Sequence, residues 1–334
     1  MNYRILGRTG LRVSVMGFGG IAIQRVTPEE AEAIVNRALD EGINFFDTAR
    51  GYTDSEAKLG TALSKRRSEA IIATKSMARS KEGMAADIRK SLATLGVDMI
   101  DLYQLHNVKD KESLEQILAP NGALEALKEA QRDGLIKHIG ITGHIKEFLL
   151  EALKTGEMST VQFPFNAVEP DCQDLLELAQ QTNTGVIVMK PLAGGAIRNA
   201  NLALRYLLEQ SVTTVIPGMD TIQQVEENAS LGREAKPLTL EEKQILQGET
   251  DQLGARFCRR CEYCKPCPQG IDIATVFLLE GYYTRYDLKD WAIERYKALE
   301  SRADACVECG QCEAKCPYNL PIRRMLADAA GLLG

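Results

Sequence analysis

Cysteines are concentrated near the end of this 334-residue chain, and their spacing restricts what that part can fold into. Eight of the nine cysteines lie between Cys258 and Cys316, and only Cys172 lies elsewhere. Separations of two or three residues suit ligands that converge on a metal better than a framework of disulfides. The first residues also lack the apolar segment of a secretory signal. We therefore expect one domain over residues 1–250 and a smaller, metal-binding one over residues 251–334.

The later of the two groups of cysteines has the ligand spacing of a bacterial ferredoxin, and the earlier group is close to it. In the later group, the separations are two, two and three residues and proline follows the last cysteine; the earlier group is one residue shorter before its last cysteine. In two-cluster ferredoxins, three cysteines of a run bind one cluster and the cysteine before proline binds the other. The sequence therefore predicts two [4Fe-4S] clusters. The first ligand set is Cys258, Cys261, Cys264 and Cys316, and the second is Cys306, Cys309, Cys312 and Cys267.

Two alternatives remain open for these cysteines. The shortened spacing before Cys267 allows a single cluster, and structural zinc also uses Cys-x2-Cys pairs. Zinc needs only four ligands per site and has no use for a third cysteine at the same spacing followed by Cys-Pro, so we favour iron–sulfur. Between the two runs, residues 273–280 and 288–299 have helical character. This favours a mainly α-helical ferredoxin-like domain.

Short apolar runs alternate with helix-like stretches along the first 250 residues. The runs are 15–18, 44–46, 70–74, 99–105, 136–141, 160–163, 185–189 and 213–216. Strands buried on both faces tend to be continuously apolar, and eight β-then-α units are typical of a (β/α)8 barrel. An open doubly wound sheet is the alternative, but the glycines at 17, 19 and 20 lack the Gly-x-Gly-x-x-Gly spacing that favours it. The expected fold is α/β: a (β/α)8 TIM barrel followed by the ferredoxin-like domain.

Ionisable residues stand where three of these apolar runs end. Asp47 follows the second run and Tyr52 comes five residues later, whereas Lys75 and His106 follow the third and fourth. Because the active site of such a barrel lies at the C-terminal ends of its strands, we expect the four side chains to lie together. An ammonium beside a phenol favours the phenolate and lowers the tyrosine pKa from its usual value of about 10. Asp47 would pair with Lys75 and keep it charged.

Residues 44–52, Asn-Phe-Phe-Asp-Thr-Ala-Arg-Gly-Tyr, closely resemble the signature of the aldo-keto reductases, as do residues 73–76 and the pair Leu105-His106. The resemblance extends over about residues 1–235. It implies an oxidoreductase that reduces an aldehyde or ketone with NADPH or NADH. Tyr52 would be the general acid, and His106 would hydrogen-bond the substrate oxygen.

The resemblance also implies a nicotinamide nucleotide site along the later strands. Thr142 and Gln162 would hold the carboxamide, and His144 contributes to the pocket or caps the next helix. The remaining positions run from the stacking position through the pyrophosphate loop to the adenosine end: Met189, Pro191, Leu192, Gly194, Gly218, Gln224, Glu227 and Asn228. Because positions 218 and 224 lack the basic residues that many family members use for a 2′-phosphate, preference for NADP over NAD should be small.

Overall composition excludes other classes of function. The net charge of −6 disfavours a nucleic-acid binder, and no apolar run approaches the roughly 20 residues that span a bilayer. We expect a cytoplasmic protein with a small-molecule carbonyl substrate and, as a further candidate partner, a redox protein. The alternatives are an iron–sulfur electron-transfer or redox-sensing protein that uses the barrel as a docking scaffold, and a non-catalytic regulatory subunit. Arg50 could attract a substrate carboxylate or bridge to Asp54 or Glu56.

Overall fold

The computed structural model describes residues 1–254, 256–260, 263–316 and 318–334. One predicted cluster ligand, Cys261, lies outside the described residues, as does Pro317. Packing divides the chain into two compact units. The first unit consists of Met1–Asn166, Pro170–Pro191 and Asn201–Leu238, and the second of Ala167–Glu169, Leu192–Ala200 and Thr239–Gly334. Two short segments that interrupt the first unit in sequence therefore belong to the second.

The first unit begins with an antiparallel hairpin, β1 (Tyr3–Ile5) and β2 (Arg12–Ser14), which the sequence did not predict. Eight parallel strands follow and pair in chain order. They are β3 (Phe18–Gly19), β4 (Phe45–Asp47), β5 (Ile71–Ser76), β6 (Ile100–Leu105), β7 (Ile136–Thr142), β8 (Thr160–Pro164), β9 (Gly185–Met189) and β10 (Thr214–Val215). Bridges from Met16 to Val215 and from Gly19 to Gly218 join the first strand to the last. The expected (β/α)8 barrel is confirmed.

Helices connect these strands. They are α1 (Pro28–Asp40), α2 (Ser55–Leu63), α3 (Lys81–Leu95), α4 (Lys111–Leu118), α5 (Ala123–Arg132), α6 (Lys146–Lys154), α7 (Gln173–Gln181), α8 (Ala200–Leu208) and α9 (Ile222–Glu234). The first shows why such a helix begins where it does. Thr27 accepts a hydrogen bond from the Glu30 amide, the Glu30 side chain accepts one from the Thr27 amide, and Pro28 is the first helical residue.

Apolar side chains from the hairpin fill one end of the ring. Leu6 and Val13 pack in a buried cluster with residues of the strands, including Phe45 and Leu102. Gly185 permits this approach, because a Cβ on it would lie 2.6 Å from Leu6 Cδ1. Gly7 bridges to Thr184, just before β9, so the hairpin covers the end at which the strands begin. The other end is left for polar side chains.

The described part of the second unit contains helices and no strand. After Leu238 these are α10 (Leu240–Gly254), α11 (Ile273–Arg285), α12 (Lys289–Lys297), α13 (Gln311–Ala314) and α14 (Ile322–Leu333). The core of this unit includes Val276, Tyr296 and Leu326. The mainly helical character expected from the sequence is confirmed, although α10 and α14 were not predicted. No helix among the described residues has both the length and the apolar character needed to cross a bilayer.

Candidate active site and cysteine cavities

Lys75 and Asp47 form a buried ion pair at the ends of adjacent strands. The Nζ of Lys75 lies 2.5 Å from Oδ1 of Asp47 and donates to the carbonyl oxygen of Thr48 at 2.8 Å. Gln104 donates from Nε2 to the other carboxylate oxygen at 3.2 Å. Lys75 is 0% exposed and Asp47 2%. Burial raises the pKa of Asp47 and lowers that of Lys75, and the attraction between the two charges opposes both shifts.

Tyr52 and His106 lie beside this pair. The Nζ of Lys75 is 4.9 Å from the centre of the Tyr52 ring. The rings of Tyr52 and His106 have centres 6.0 Å apart and meet edge to face at 86°. Tyr52 is half-buried in the turn after β4. The structure thus brings together Tyr52, His106 and the ion pair, the four side chains named from the sequence, while their catalytic roles stay a prediction.

Positive charge surrounds the His106 imidazole. Burial, followed by the charges of Lys75, Arg79 and Lys190, holds the pKa of His106 well below its ordinary value. Arg79 donates from Nη2 to the backbone oxygens of His106 at 2.7 Å and Asn107 at 3.0 Å. The Nδ1 of His106 is buried and has no hydrogen-bond partner among the described residues. A neutral imidazole with an unused nitrogen can hydrogen-bond a substrate oxygen.

Glu56 is a buried carboxylate near the ion pair that sequence reasoning did not include in the site. It accepts hydrogen bonds from Thr74 Oγ1 at 2.7 Å and Ser91 Oγ at 2.8 Å, and its charge favours the charged form of Lys75. Arg50 pairs with Glu56, so of the alternatives left open for Arg50 the bridge to Glu56 is the one present. No local signal marked Glu56, because the hydroxyls that bind it come from two other elements.

Thr142 and Gln162 are register partners on the neighbouring strands β7 and β8, and each is 1% exposed. Gln162 hydrogen-bonds Asp47, whereas its Oε1 is buried without a partner among the described residues. An unused amide oxygen fits the amino group of a nicotinamide carboxamide. His144 stands one residue before Ile145, the N-cap of α6, whose own side chain makes no cap hydrogen bond.

The predicted pyrophosphate loop directly follows Met189, the last residue of β9. Its residues include Pro191, Leu192 and Gly194, and left-handed backbone occurs at four positions: Lys190 (φ 54°), Ala193 (φ 50°), Gly194 (φ 66°) and Gly195 (φ 76°). Successive amides in tight turns form concavities suited to anions.

The predicted adenosine-end residues lie at the last barrel loop and on the first turns of α9. Gly218 bridges to Gly19, and the amide oxygen of Gln224 accepts from the Asp220 amide at 2.8 Å. Asp220 also pairs with Arg25 at 2.7 Å. On α9 itself, Glu227 accepts from Gln223 at 2.8 Å and Asn228 is buried.

Two cavities in the second unit are lined by the cysteines. One is lined by Cys258, Cys264 and Cys316 together with apolar side chains such as Phe277. The other is lined by Cys267, Cys306, Cys309 and Cys312. These groupings match the two predicted ligand sets, apart from Cys261, of which nothing is described. In the described ranges, no three His, Cys, Asp or Glu side chains are arranged to hold one metal ion.

The remaining cysteine is separate from these cavities. Cys172 is buried in the first unit at the N-cap of α7, and burial raises the pKa of its thiol to about 12. Near Cys258, by contrast, the Arg260 amide donates to the sulfur at 3.4 Å. Thiols around a partly apolar cavity, with an amide directed at one sulfur, are a donor set that fits an iron–sulfur cluster.

Comparison with known proteins decides the family. Residues 15–202 match the aldo/keto reductase family. The chain belongs to that family. Residues 257–321 match a 4Fe-4S dicluster domain, so this aldo/keto reductase carries such a domain at its C-terminal end.

Relatives of this aldo/keto reductase are oxidoreductases. It is 31% identical to L-galactose dehydrogenase of Arabidopsis thaliana over 299 residues, which cover 74% of this chain and 92% of the relative. It is 31% identical to 6-dehydroglucose reductase of Novosphingobium aromaticivorans over 226 residues, 60% of this chain and 72% of the relative. Among solved structures, the holo form of aldo-keto reductase AKR11C1 from Bacillus halodurans is similar, with a TM-score of 0.65, 29% identity and coverage of 75% of this chain and 96% of that one. The protein is an enzyme of the oxidoreductase class that acts on small molecules.

Proposed function

We propose that this enzyme reduces an aldehyde or ketone with NADPH or NADH, with Tyr52 as the general acid, and that two [4Fe-4S] clusters occupy its second unit. The observation that carries the reductase is the fully buried Lys75 ammonium, 4.9 Å from the centre of the Tyr52 ring and held by Asp47. A desolvated cation beside a phenol favours the phenolate, so it makes the hydroxyl a better proton donor. Relatives named for a sugar dehydrogenase and a dehydrosugar reductase support a small polar substrate.

In this mechanism the nicotinamide, when bound, supplies the hydride, and the protein supplies the proton. Tyr52 transfers the proton from its hydroxyl to the oxygen of the developing alkoxide. Lys75 stabilises the phenolate that remains, and Asp47 keeps Lys75 in place. His106, neutral at physiological pH, orients the substrate oxygen through a hydrogen bond. In the oxidation direction the Tyr52 phenolate is the base.

The side chains assigned to the nucleotide fit it in chemical type. Thr142 and Gln162 would hold the carboxamide, the latter through its unused Oε1. Gly194 lies in the loop assigned to the pyrophosphate. Since neither Gly218 nor Gln224 can pair with a 2′-phosphate, we expect NADPH and NADH to bind with similar affinity.

Two iron–sulfur clusters are supported by the two separate cavities and by the cysteines that line each. Hydride transfer moves two electrons at once, whereas a cluster of this kind usually passes one, so we assign the clusters a structural or oxygen-sensing role. Unchanged turnover after cluster depletion would argue against electron transfer through them. Cluster ligands must be reduced thiols, which suits a cytoplasmic location.

Tyr52→Phe tests the reductase. Losing a general acid should lower kcat/KM by about 10²–10⁴-fold, measured as NADPH oxidation over a panel of aldehydes and ketones. Iron and sulfide content and circular dichroism should match the unmodified protein, since the substitution removes one half-buried hydroxyl. Tyr3→Phe is the matched control, because Tyr3 donates to Gly42 at 3.0 Å in the hairpin region. Full activity of Tyr52→Phe would overturn the assignment.

A further inference from the structure

The turn that carries Tyr52 is closed by two side-chain contacts that span it. The hydroxyl oxygens of Thr48 and Ser55 lie 2.8 Å apart, and the guanidinium of Arg50 pairs with the carboxylate of Glu56. Tyr52 lies between the partners of both contacts in sequence, and its backbone oxygen accepts from the Ser55 amide at 2.8 Å. The proposed general acid therefore belongs to a short segment whose two ends are fixed to each other.

Glu56 also fixes this turn to the rest of the barrel. It is 2% exposed, and its second oxygen, Oε1, accepts from Thr74 Oγ1 at 2.7 Å and from Ser91 Oγ at 2.8 Å. Thr74 precedes Lys75 on β5, and the Arg50 amide donates to the Lys75 backbone oxygen at 3.0 Å. One buried carboxylate thus joins the turn of the proposed acid to the strand that carries the neighbouring ammonium.

We propose that Arg50 and Glu56 are positioning residues of the reductase, and that their ion pair holds the Tyr52 hydroxyl in line with the substrate oxygen. The proposal rests on the proposed function, because it gives the pair a role relative to that acid. Neither side chain has to touch the reacting atoms. A small displacement of a reacting group slows the chemical step strongly, since reaction requires aligned atoms. Loss of the pair should therefore lower kcat more than it raises KM.

Steady-state kinetics of the full-length, anaerobically purified protein test this role. Glu56→Gln keeps an oxygen for the hydroxyls of Thr74 and Ser91 but removes the charge that faces Arg50. Arg50→Met removes the guanidinium and keeps an unbranched side chain. We expect each substitution to lower kcat by about 10–100-fold with little change in KM. The isotope effect with NADPH deuterated at the transferred position should rise, because hydride transfer then limits turnover.

The double variant shows whether the two residues act as a unit. Arg50→Met combined with Glu56→Gln leaves neither charge of the pair, and it should lower kcat no further than either substitution alone, because residues that act together are not additive. Arg50→Lys keeps the positive charge and should retain part of kcat. Effects of the two substitutions that multiply in the double variant would overturn the proposal.

A second ion pair of the barrel supplies the matched control. Asp101, in β6, accepts from Arg67 Nη2 at 2.7 Å and from the Ile72 amide at 3.1 Å, near the beginning of the same strands. This pair resembles Arg50–Glu56 in joining a partly exposed arginine to a buried carboxylate. Arg67→Met should lower stability in urea and leave kcat and the isotope effect unchanged. A fall in kcat as large as that of Arg50→Met would mean that general loss of stability explains both.

The outcomes separate this proposal from the reductase itself. Unmodified protein that reduces no carbonyl with either nucleotide, or full activity of Tyr52→Phe, contradicts the proposed function. Reduction that depends on Tyr52, with unchanged kcat in both Arg50→Met and Glu56→Gln, overturns the positioning role alone. A higher KM for anionic substrates only, at unchanged kcat, would assign Arg50 to substrate binding and overturn it as well.

Discussion

Two cationic side chains in this protein, the buried Lys75 and the half-buried Arg260, have opposite surroundings. Lys75 in the barrel has its partners in the chain itself, the Asp47 carboxylate at 2.5 Å and the Thr48 carbonyl at 2.8 Å. Arg260 in the second unit has two nitrogens without a partner among the described residues. The comparison teaches that the chain itself balances the cation of the barrel site, whereas no described residue of the second unit pairs with these two guanidinium nitrogens.

Removing Lys75, the cation of the barrel site, should have the largest effect on both stability and activity. Lys75→Met leaves Asp47 buried without its counter-charge, which costs about 3–5 kcal/mol of unfolding free energy, and it abolishes carbonyl reduction. Asp47→Leu combined with Lys75→Met should recover most of that stability, because neither member of the pair is left as an uncompensated charge, but it should recover no activity. Urea unfolding and NADPH oxidation measure the two effects.

The stability of Lys75→Met should also depend on pH in a characteristic way. Without Lys75, only the hydrogen bonds from Gln104 and Gln162 oppose the rise in the pKa of Asp47 that burial causes, so Asp47 stays protonated in the fold below that raised pKa. The stability of Lys75→Met should therefore be greatest at acidic pH and fall as the pH rises, whereas the double variant should lack this slope. Equal pH dependence of the stability of the two variants would contradict the conclusion that Lys75 is the counter-charge of the buried Asp47.

Replacing a proposed cluster ligand tests the second unit. We expect a smaller effect on stability than at Lys75, confined to that unit. With two clusters, Cys312→Ser should lose up to half of the iron and sulfide and lower the thermal stability of the second unit while the barrel remains folded. Cys172→Ser, which removes the buried thiol of the first unit, is the control and should keep all of the iron. Complete loss of iron from Cys312→Ser and from Cys258→Ser alike would favour the single-cluster alternative.

The smallest effect is expected at His106. Since the charge of Arg79 lowers the pKa of His106, Arg79→Gln should raise that pKa. NMR titration of the imidazole measures the shift, and the acidic limb of the kcat/KM profile should move to higher pH with it. An unchanged or lower pKa would show that the charge of Arg79 does not contribute to the low pKa of His106.

The sequence predicted the structure best for those residues whose position depends only on the order of strands in the barrel. The strand expected over 185–189 has those bounds in the structure, and Asp47, Lys75 and His106 come together because each lies at or just after the C-terminal end of a strand of one ring. The hairpin could not be predicted, since β1 and β2 have three residues each and little apolar pattern.

Residues whose role depends on distant partners were also missed. Glu56 is bound by hydroxyls at positions 74 and 91, and Arg79 by the carbonyl oxygens of residues 106 and 107. Local periodicity carries no information about such contacts, because they form only after the strands and helices have packed.

The segments that leave the barrel to pack in the second unit also impose an order on biosynthesis. Gly194 precedes Arg285 by 91 residues, and Val168 precedes Arg259, which donates to its carbonyl oxygen at 3.2 Å, by the same number. At about 5–20 residues per second, translation delivers these partners roughly 5–20 s after the segments they hold. A nascent chain can therefore close its ring of strands early, but it acquires the contacts of both segments only when the ribosome has nearly finished.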